Sequence, residues 1–288
     1  MIVDQLINGI VMGSVYALMA VGYTMVWNVL RFINFAHGEV YMGGAFVAIT
    51  TMYLGAPVWL AYTCGMLAGA LLGYLMEKIV YKRMRTAPKL NLLIAAIGIA
   101  IVLQNAAQLI WGASPERLAS PFLANNVNVG GMMVNQHYIF IIIVTIVVML
   151  LLEFFMNRTL MGKAVQAASQ NIQATELMGI NANKVISITF AIGSGVGALA
   201  GILVGPVFLV YPTMGVFAGL KGFTASVMGG MGNIPGAVVA GLMLGVLESF
   251  AAGFISSGYR DAVAMVILLV ILLARPQGIF GKVVAEKV

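Results

Sequence analysis

Charge is what this 288-residue chain has least of: 8% of its residues are Asp, Glu, Lys or Arg, against about 25% in a soluble domain. With 61% hydrophobic residues and a mean hydropathy of +1.02, that scarcity excludes a soluble globular protein. The single cysteine, Cys64, excludes an internal disulfide; inside an apolar run it is expected to be a small buried residue. Two histidines, His37 and His137, stand without the Cys, Asp or Glu spacing of a metal site, and His37 two positions before Glu39 is too little for zinc. No G-x-x-x-x-G-K-[ST] string occurs, so the chain has no P-loop of its own for ATP. The net charge of +6 lies in short segments between apolar runs rather than in a stripe, a pattern of membrane orientation and not of nucleic-acid binding.

What is present is a series of runs long enough to cross a hydrocarbon core of roughly 30 Å. Residues 5–30 carry no charge, and no basic segment precedes them, so they are expected to be an uncleaved first span. A shorter apolar run to Tyr53 follows, then spans at 57–81, 90–111, 138–157 and 185–211. A run at about 214–229, too short to cross fully, is broken by Gly229, Gly230, Gly232 and Pro235 before a span to about Phe254, and a last span begins at Arg260 and Asp261. The expected fold is an all-α polytopic membrane protein with about eight full spans plus one short broken or re-entrant helix. Glycines four apart, at Gly9 and Gly13, at Gly65, Gly69 and Gly73, and at Gly193, Gly197, Gly201 and Gly205, mark faces where helix backbones approach closely. GSGVGALAG within the last set lacks the G-x-G-x-x-G register and a preceding soluble strand, which rules out a nucleotide loop.

Cationic residues set the orientation. With the N-terminus outside and the C-terminus in the cytoplasm, all of the 15 Lys and Arg except Arg117, Lys221 and Arg260 fall on the cytoplasmic side. Residues 112–137 then lie outside. The polar stretch 158–184, with Arg158, Lys163 and Lys184 against Glu176, becomes a cytoplasmic loop where a soluble partner would grip. The halves also resemble each other: AGALLGYLME at 68–77 is echoed by AGLMLGVLE at 240–248, and each half has a short element beside a Gly-Gly pair. One linking span, 138–157, between a first half (1–111) and a second half (185–275) makes the two antiparallel, the inverted-repeat plan of transporters. All belong to a single transmembrane domain over 1–288.

Polar residues at membrane depth are the site candidates. Asn34, His37 and Glu39 stand at the entry to the short helix, where Asn34 is placed to cap it and Glu39 to meet its dipole, or where the group lines a pathway. Lys221 and Glu248 are placed to pair, either as a structural ion pair or along the pathway; Thr224 and Asn233 flank the Gly-Pro break. Glu77 and Glu153 near helix ends call for snorkelling or a basic neighbour. Ser194 between glycines, with His37, is all that an intramembrane serine protease would have, and nothing in the sequence fixes that geometry.

INFAHGEVYMGG, RTLMGKAVQAASQN followed by ATELMGIN and VISITFAIG, GLKGFTASVMGGMGNIPGA and the ending RPQGIFG together resemble the LivH-type permease of branched-chain amino-acid ABC importers. The likeness runs in order through nearly the whole chain. It implies a bacterial cytoplasmic-membrane permease subunit working with a second, LivM-like permease, two ATPase subunits and a periplasmic or extracytoplasmic substrate-binding protein. ATP would be used by the partner subunits, with no cofactor and no catalytic residue in this chain. Residues 173–179 are similar to the EAA-x-x-x-G segment that importer permeases present to their ATPases: Ala174 and Gly179 match, Gln173 and Thr175 depart, and Glu176 and Leu177 lie between. The pathway expected from the resemblance follows the elements at 34–44 and 222–235. Permeases for urea or short amides share these motifs, and a self-sufficient secondary transporter would share the inverted repeat.

Overall fold

The computed structural model describes residues 2–129 and 132–281; Lys282 and Lys287, counted above among the cytoplasmic cations, lie outside the described residues. The chain runs through α1 (Ile2–Leu30), α2 (His37–Tyr53) and α3 (Val58–Met76). A π-helical turn, Glu77–Tyr81, and the short α4 (Lys82–Met84) extend α3, and α5 (Lys89–Trp111) follows. A hairpin of β1 (Asn126–Val129) and β2 (Met132–Asn135) leads into α6 (Gln136–Arg158), α7 (Leu160–Gln170) and α8 (Ile172–Leu177). Then come α9 (Ala182–Val204), α10 (Met214–Gly229), α11 (Ile234–Phe254) and α12 (Arg260–Ala274). Among the described residues seven helical runs are long and apolar enough to cross a bilayer. The 17-residue α2 and the 16-residue α10 are shorter, and both are built into the interior.

Packing obeys an exchange rule. Swapping α1 with α9, α2 with α10, and α3 with α11 turns each contact among these six helices into another that is observed: α1 on α11 becomes α9 on α3, α1 on α10 becomes α9 on α2, and α2 on α3 becomes α10 on α11. The α1–α9 and α2–α10 contacts map onto themselves, and α2 on α5 becomes α10 on α12. The molecule is therefore an inverted-repeat helical bundle. In lipid, helices gain little from hiding apolar surface from one another, so close backbone approach has to supply the attraction. The glycine faces do this. A methyl on Gly245 would overlap the Gly13 backbone, and one on Gly69 would overlap Ala198. α1 is the axis, buried along 89% of its most apolar stretch, while α5 and α12 ride at the rim at 11% and 6%.

Two boundaries differ from the sequence reading. The span expected to reach residue 211 ends at Val204: Val210 leaves the helix and pairs with Glu116 as an isolated antiparallel bridge, and Gly205 packs on Leu118. The segment 112–137, for which the sequence reading names no strand, contains the β hairpin. Cys64 is half-buried rather than buried.

Candidate translocation and coupling sites

The described structure has two ends. One gathers the C-termini of α1, α3, α6, α10 and α12 with α7 and α8, and is rich in Lys and Arg; the other holds the start of α1, residues 112–135 and Arg260.

At the basic end the chain leaves α1 through Arg31, the one non-glycine residue with a left-handed backbone among those described (φ 55°). This folds residues 31–36 back, so α2 starts beside Gly22 of α1 instead of continuing past Leu30. His37 fits a slot walled by Gly22 and Gly197, where added methyls would overlap its ring, and stands edge-on to Tyr23 with ring centroids 4.7 Å apart. Asn34 does not cap α2. Ala36 occupies the cap position without a side-chain bond, because the Asn34 Oδ1 instead accepts from the Ala36 amide at 3.1 Å and the Tyr81 hydroxyl at 2.7 Å. Glu39, in the first turn as expected, accepts from Gln104 Nε2 of α5 at 2.9 Å. Both nitrogens of His37, Asn34 Nδ2, Glu39 Oε2 and Tyr23 Oη are buried without a partner, an unusual concentration of unsatisfied polar atoms. Gly38 of this group backs directly onto Gly215 at the start of α10.

Thr224 is fully buried and returns its hydroxyl to Leu220 O, as helical threonines do. Asn233 is half-buried and caps α11, accepting from the Gly236 amide at 3.0 Å and donating to Phe280 O at 3.1 Å. Lys221 and Glu248 come together at the other end: Nζ lies 2.5 Å from Glu248 Oε1 and 2.7 Å from Asp261, with the Tyr16 hydroxyl at 3.3 Å. Arg260 Nε also reaches Glu248 Oε1, at 2.8 Å. Two cations and two anions thus form a formally neutral cluster, the condition under which charge is tolerated at depth. Glu77 holds the corresponding place in the first half. It is fully buried, paired with Arg85 and accepting from Ser187, so a basic neighbour rather than snorkelling accounts for it. The similar strings at 68–77 and 240–248 therefore end in acids neutralised at opposite ends of the bundle. Ser194 and His37 are not bonded to each other, and Ser194 Oγ has no partner.

The stretch 158–184 holds α7, α8 and the start of α9, with a side-chain cap at each of the three starts. Thr159 accepts from the Gly162 amide, Asn171 from Ala174 and Asn181 from Lys184. Gly179, at φ +79°, ends α8 with a left-handed residue that a Cβ would strain. Within 173–179 Thr175 alone is buried; Ala174, Glu176, Leu177, Met178 and Gly179 face outward, and Leu177 and Met178 are 88% and 82% exposed. This segment lies outside the helices long and apolar enough to cross a membrane, and two bare apolar side chains there mark an interaction surface. Sequence reasoning missed Arg31, whose Nη2 donates to Ser169 O in the last turn of α7 at 2.8 Å.

The family described as branched-chain amino acid transport system / permease component matches residues 5–274. The chain belongs to this family. It is 40% identical to the high-affinity branched-chain amino acid transport system permease protein BraD of Pseudomonas aeruginosa, over 99% of this chain and 97% of that one. It is 38% identical to the corresponding LivH permease of Escherichia coli with the same coverage. Among solved structures it resembles PsaBC from Streptococcus pneumoniae in complex with Fab, at a TM-score of 0.51 and 14% identity over 95% of this chain and 91% of that one, a likeness of fold. A multi-pass permease subunit is thus the setting in which these sites act.

Proposed function

We propose that this permease subunit moves branched-chain amino acids inward through the membrane as part of an ATP-binding-cassette importer. Its partners are a second, LivM-like permease, two ATPase subunits and a soluble binding protein that delivers the substrate. The N-terminus lies outside and the C-terminus in the cytoplasm, which puts the Lys- and Arg-rich end inside. On this reading residues 1–111 and 185–275 are the two halves, 138–157 joins them, and 158–184 is the coupling segment, all in one transmembrane domain. Ala174, Glu176, Leu177 and Gly179 engage the ATPase, and Asn34, His37, Glu39, Lys221, Thr224, Asn233 and Glu248 border the route. The observation that carries the coupling is the exposure of Leu177 and Met178 on a short capped helix ended by Gly179. An apolar knob of this kind suits a groove in a soluble partner.

The test is reconstitution. The chain and its neighbouring permease, ATPase and binding-protein subunits, placed in proteoliposomes, are expected to take up radiolabelled leucine only with ATP and loaded binding protein. Uptake by this chain alone, without an ATPase, would make it a secondary transporter. ATP-driven uptake of urea or a short amide but not leucine would reassign the substrate.

A further inference from the structure

At the end opposite α7 and α8 lies a cavity of about 200 Å³ lined by none of the candidate pathway or coupling residues. Its floor is apolar and closed, formed by Val11, Ile141 and Val204, each at most 4% exposed. Its rim is polar: Gln5, Ser249 and Arg260, with Ser249 Oγ donating to Gln5 Oε1 at 2.8 Å. Arg260 lies over the Phe208 ring, 5.9 Å from its centroid, with Nε 2.8 Å from Glu248 Oε1 as an ion pair.

We propose that this cavity receives an aliphatic amino acid in its zwitterionic form, side chain on the floor and charged groups at the rim. The inference rests on the importer reading and adds to it a holding site on the face where substrate arrives. Three features select that ligand class. The volume fits a single amino acid, below the roughly 300–1,000 Å³ of cavities for larger ligands. The rim offers a guanidinium, whose fork of N–H donors suits a carboxylate, beside hydroxyl and amide oxygens that accept from an ammonium. The cluster behind the rim, Lys221, Arg260, Glu248 and Asp261, is already neutral. A zwitterion adds no net charge to it, whereas a lone anion or cation would leave one uncompensated.

The experiment uses the complete importer with its binding protein and compares leucine with valine. Val204→Leu raises the floor, and Ala252→Leu, one turn beyond Glu248 on α11, narrows the wall without changing a charge. Each is expected to lower leucine uptake relative to valine by about tenfold, the discrimination that one methylene of pocket depth provides. A merely structural defect would lower both alike. Should these variants fail to assemble, equilibrium binding of radiolabelled leucine to the wild-type complex in nanodiscs, without binding protein, decides. Saturable binding displaced by valine but not by leucinol, which lacks the carboxylate, is expected. An unchanged leucine-to-valine ratio in both assembled variants overturns the site, as does no saturable binding, or equal displacement by leucinol or by added phospholipid. If wild-type complex fails to import leucine at all, the importer reading has failed instead.

Discussion

Removing the Arg31 side chain separates coupling from folding, and the structure supplies the size of each. Left-handed backbone costs a non-glycine residue roughly 1 kcal/mol or slightly more, so Arg31 at φ 55° carries that penalty. Its Nη2 bond to Ser169 O is charge-assisted but exposed, which makes it worth about 1 kcal/mol. Arg31→Ala loses the bond and keeps the penalty, so it should destabilise by about 1 kcal/mol. Arg31→Gly loses the bond and the penalty together, so its stability should match wild type. Both cut the one side-chain hydrogen bond that joins α7 to the α1–α2 turn among the described residues. If that link carries motion, both should lower leucine imported per ATP hydrolysed, by about fivefold for a loss near 1 kcal/mol. The assay pairs ATPase rate with uptake in the same proteoliposomes, alongside thermal unfolding of the complex. Wild-type coupling in Arg31→Gly would refute the link, and coupling that merely followed stability, low in Ala and normal in Gly, would show that strain rather than connection matters.

The glycine faces predict a contrast within one residue type: Gly245→Ala, which overlaps the Gly13 backbone, should cost about 3 kcal/mol. Gly98→Ala, open to its surroundings, should be neutral or gain about 0.5 kcal/mol; melting temperatures in detergent check both. Lys221→Met, leaving fully buried Glu248 with Arg260 alone, should destabilise by about 3 kcal/mol. Adding Glu248→Met should recover much of that, and a double variant as unstable as the summed singles would count against the pairing. Gly179→Ala, at φ +79°, should cost about 1 kcal/mol locally and reduce coupling without altering membrane insertion, measured by ATPase stimulation on adding loaded binding protein.

Much of this molecule is legible in its sequence where one physical rule dominates. Apolar length marks the spans, and glycines four apart mark where α1 meets α11 and α3 meets α9, because nothing else brings helices that close in lipid. The stretch 158–184 stands out for the same reason inverted: it is the long polar one. Its Thr159, Asn171 and Asn181 caps and Gly179 stop are local chemistry. Legibility fails where the deciding partner is distant in sequence. Residues 205–211 are apolar enough to prolong α9, and it is Glu116 that draws Val210 into a bridge. Asn34 sits where a cap belongs, but Tyr81, 47 positions on, takes its oxygen. The β hairpin has short strands without strong alternation, and the π turn at Glu77–Tyr81 has no compositional mark at all.

The meeting of α2 and α10 shows why these exceptions gather in one region. Each short helix begins against the other, through Gly38 and Gly215, and helix starts carry partial positive charge. Two such ends in a buried setting repel, and the acid Glu39 in the first turn of α2 offsets part of that. Around them Tyr23, His37 and Asn34 keep polar atoms unsatisfied, each of which costs free energy in a dry interior. The arrangement is therefore held by its surroundings rather than by its own contacts. Glycine on both sides lets the two helix starts meet backbone to backbone, while Phe35 just before α2 packs on Phe223 of α10 with ring centroids 5.7 Å apart. Six residues connect this junction back to Arg31, and Arg31 to Ser169 of α7. On the importer reading, a shift of α7 under an ATPase reaches the least satisfied point of the bundle by that short path, and the buried acids Glu77 and Glu248, neutralised at opposite ends, keep the two halves rigid around it.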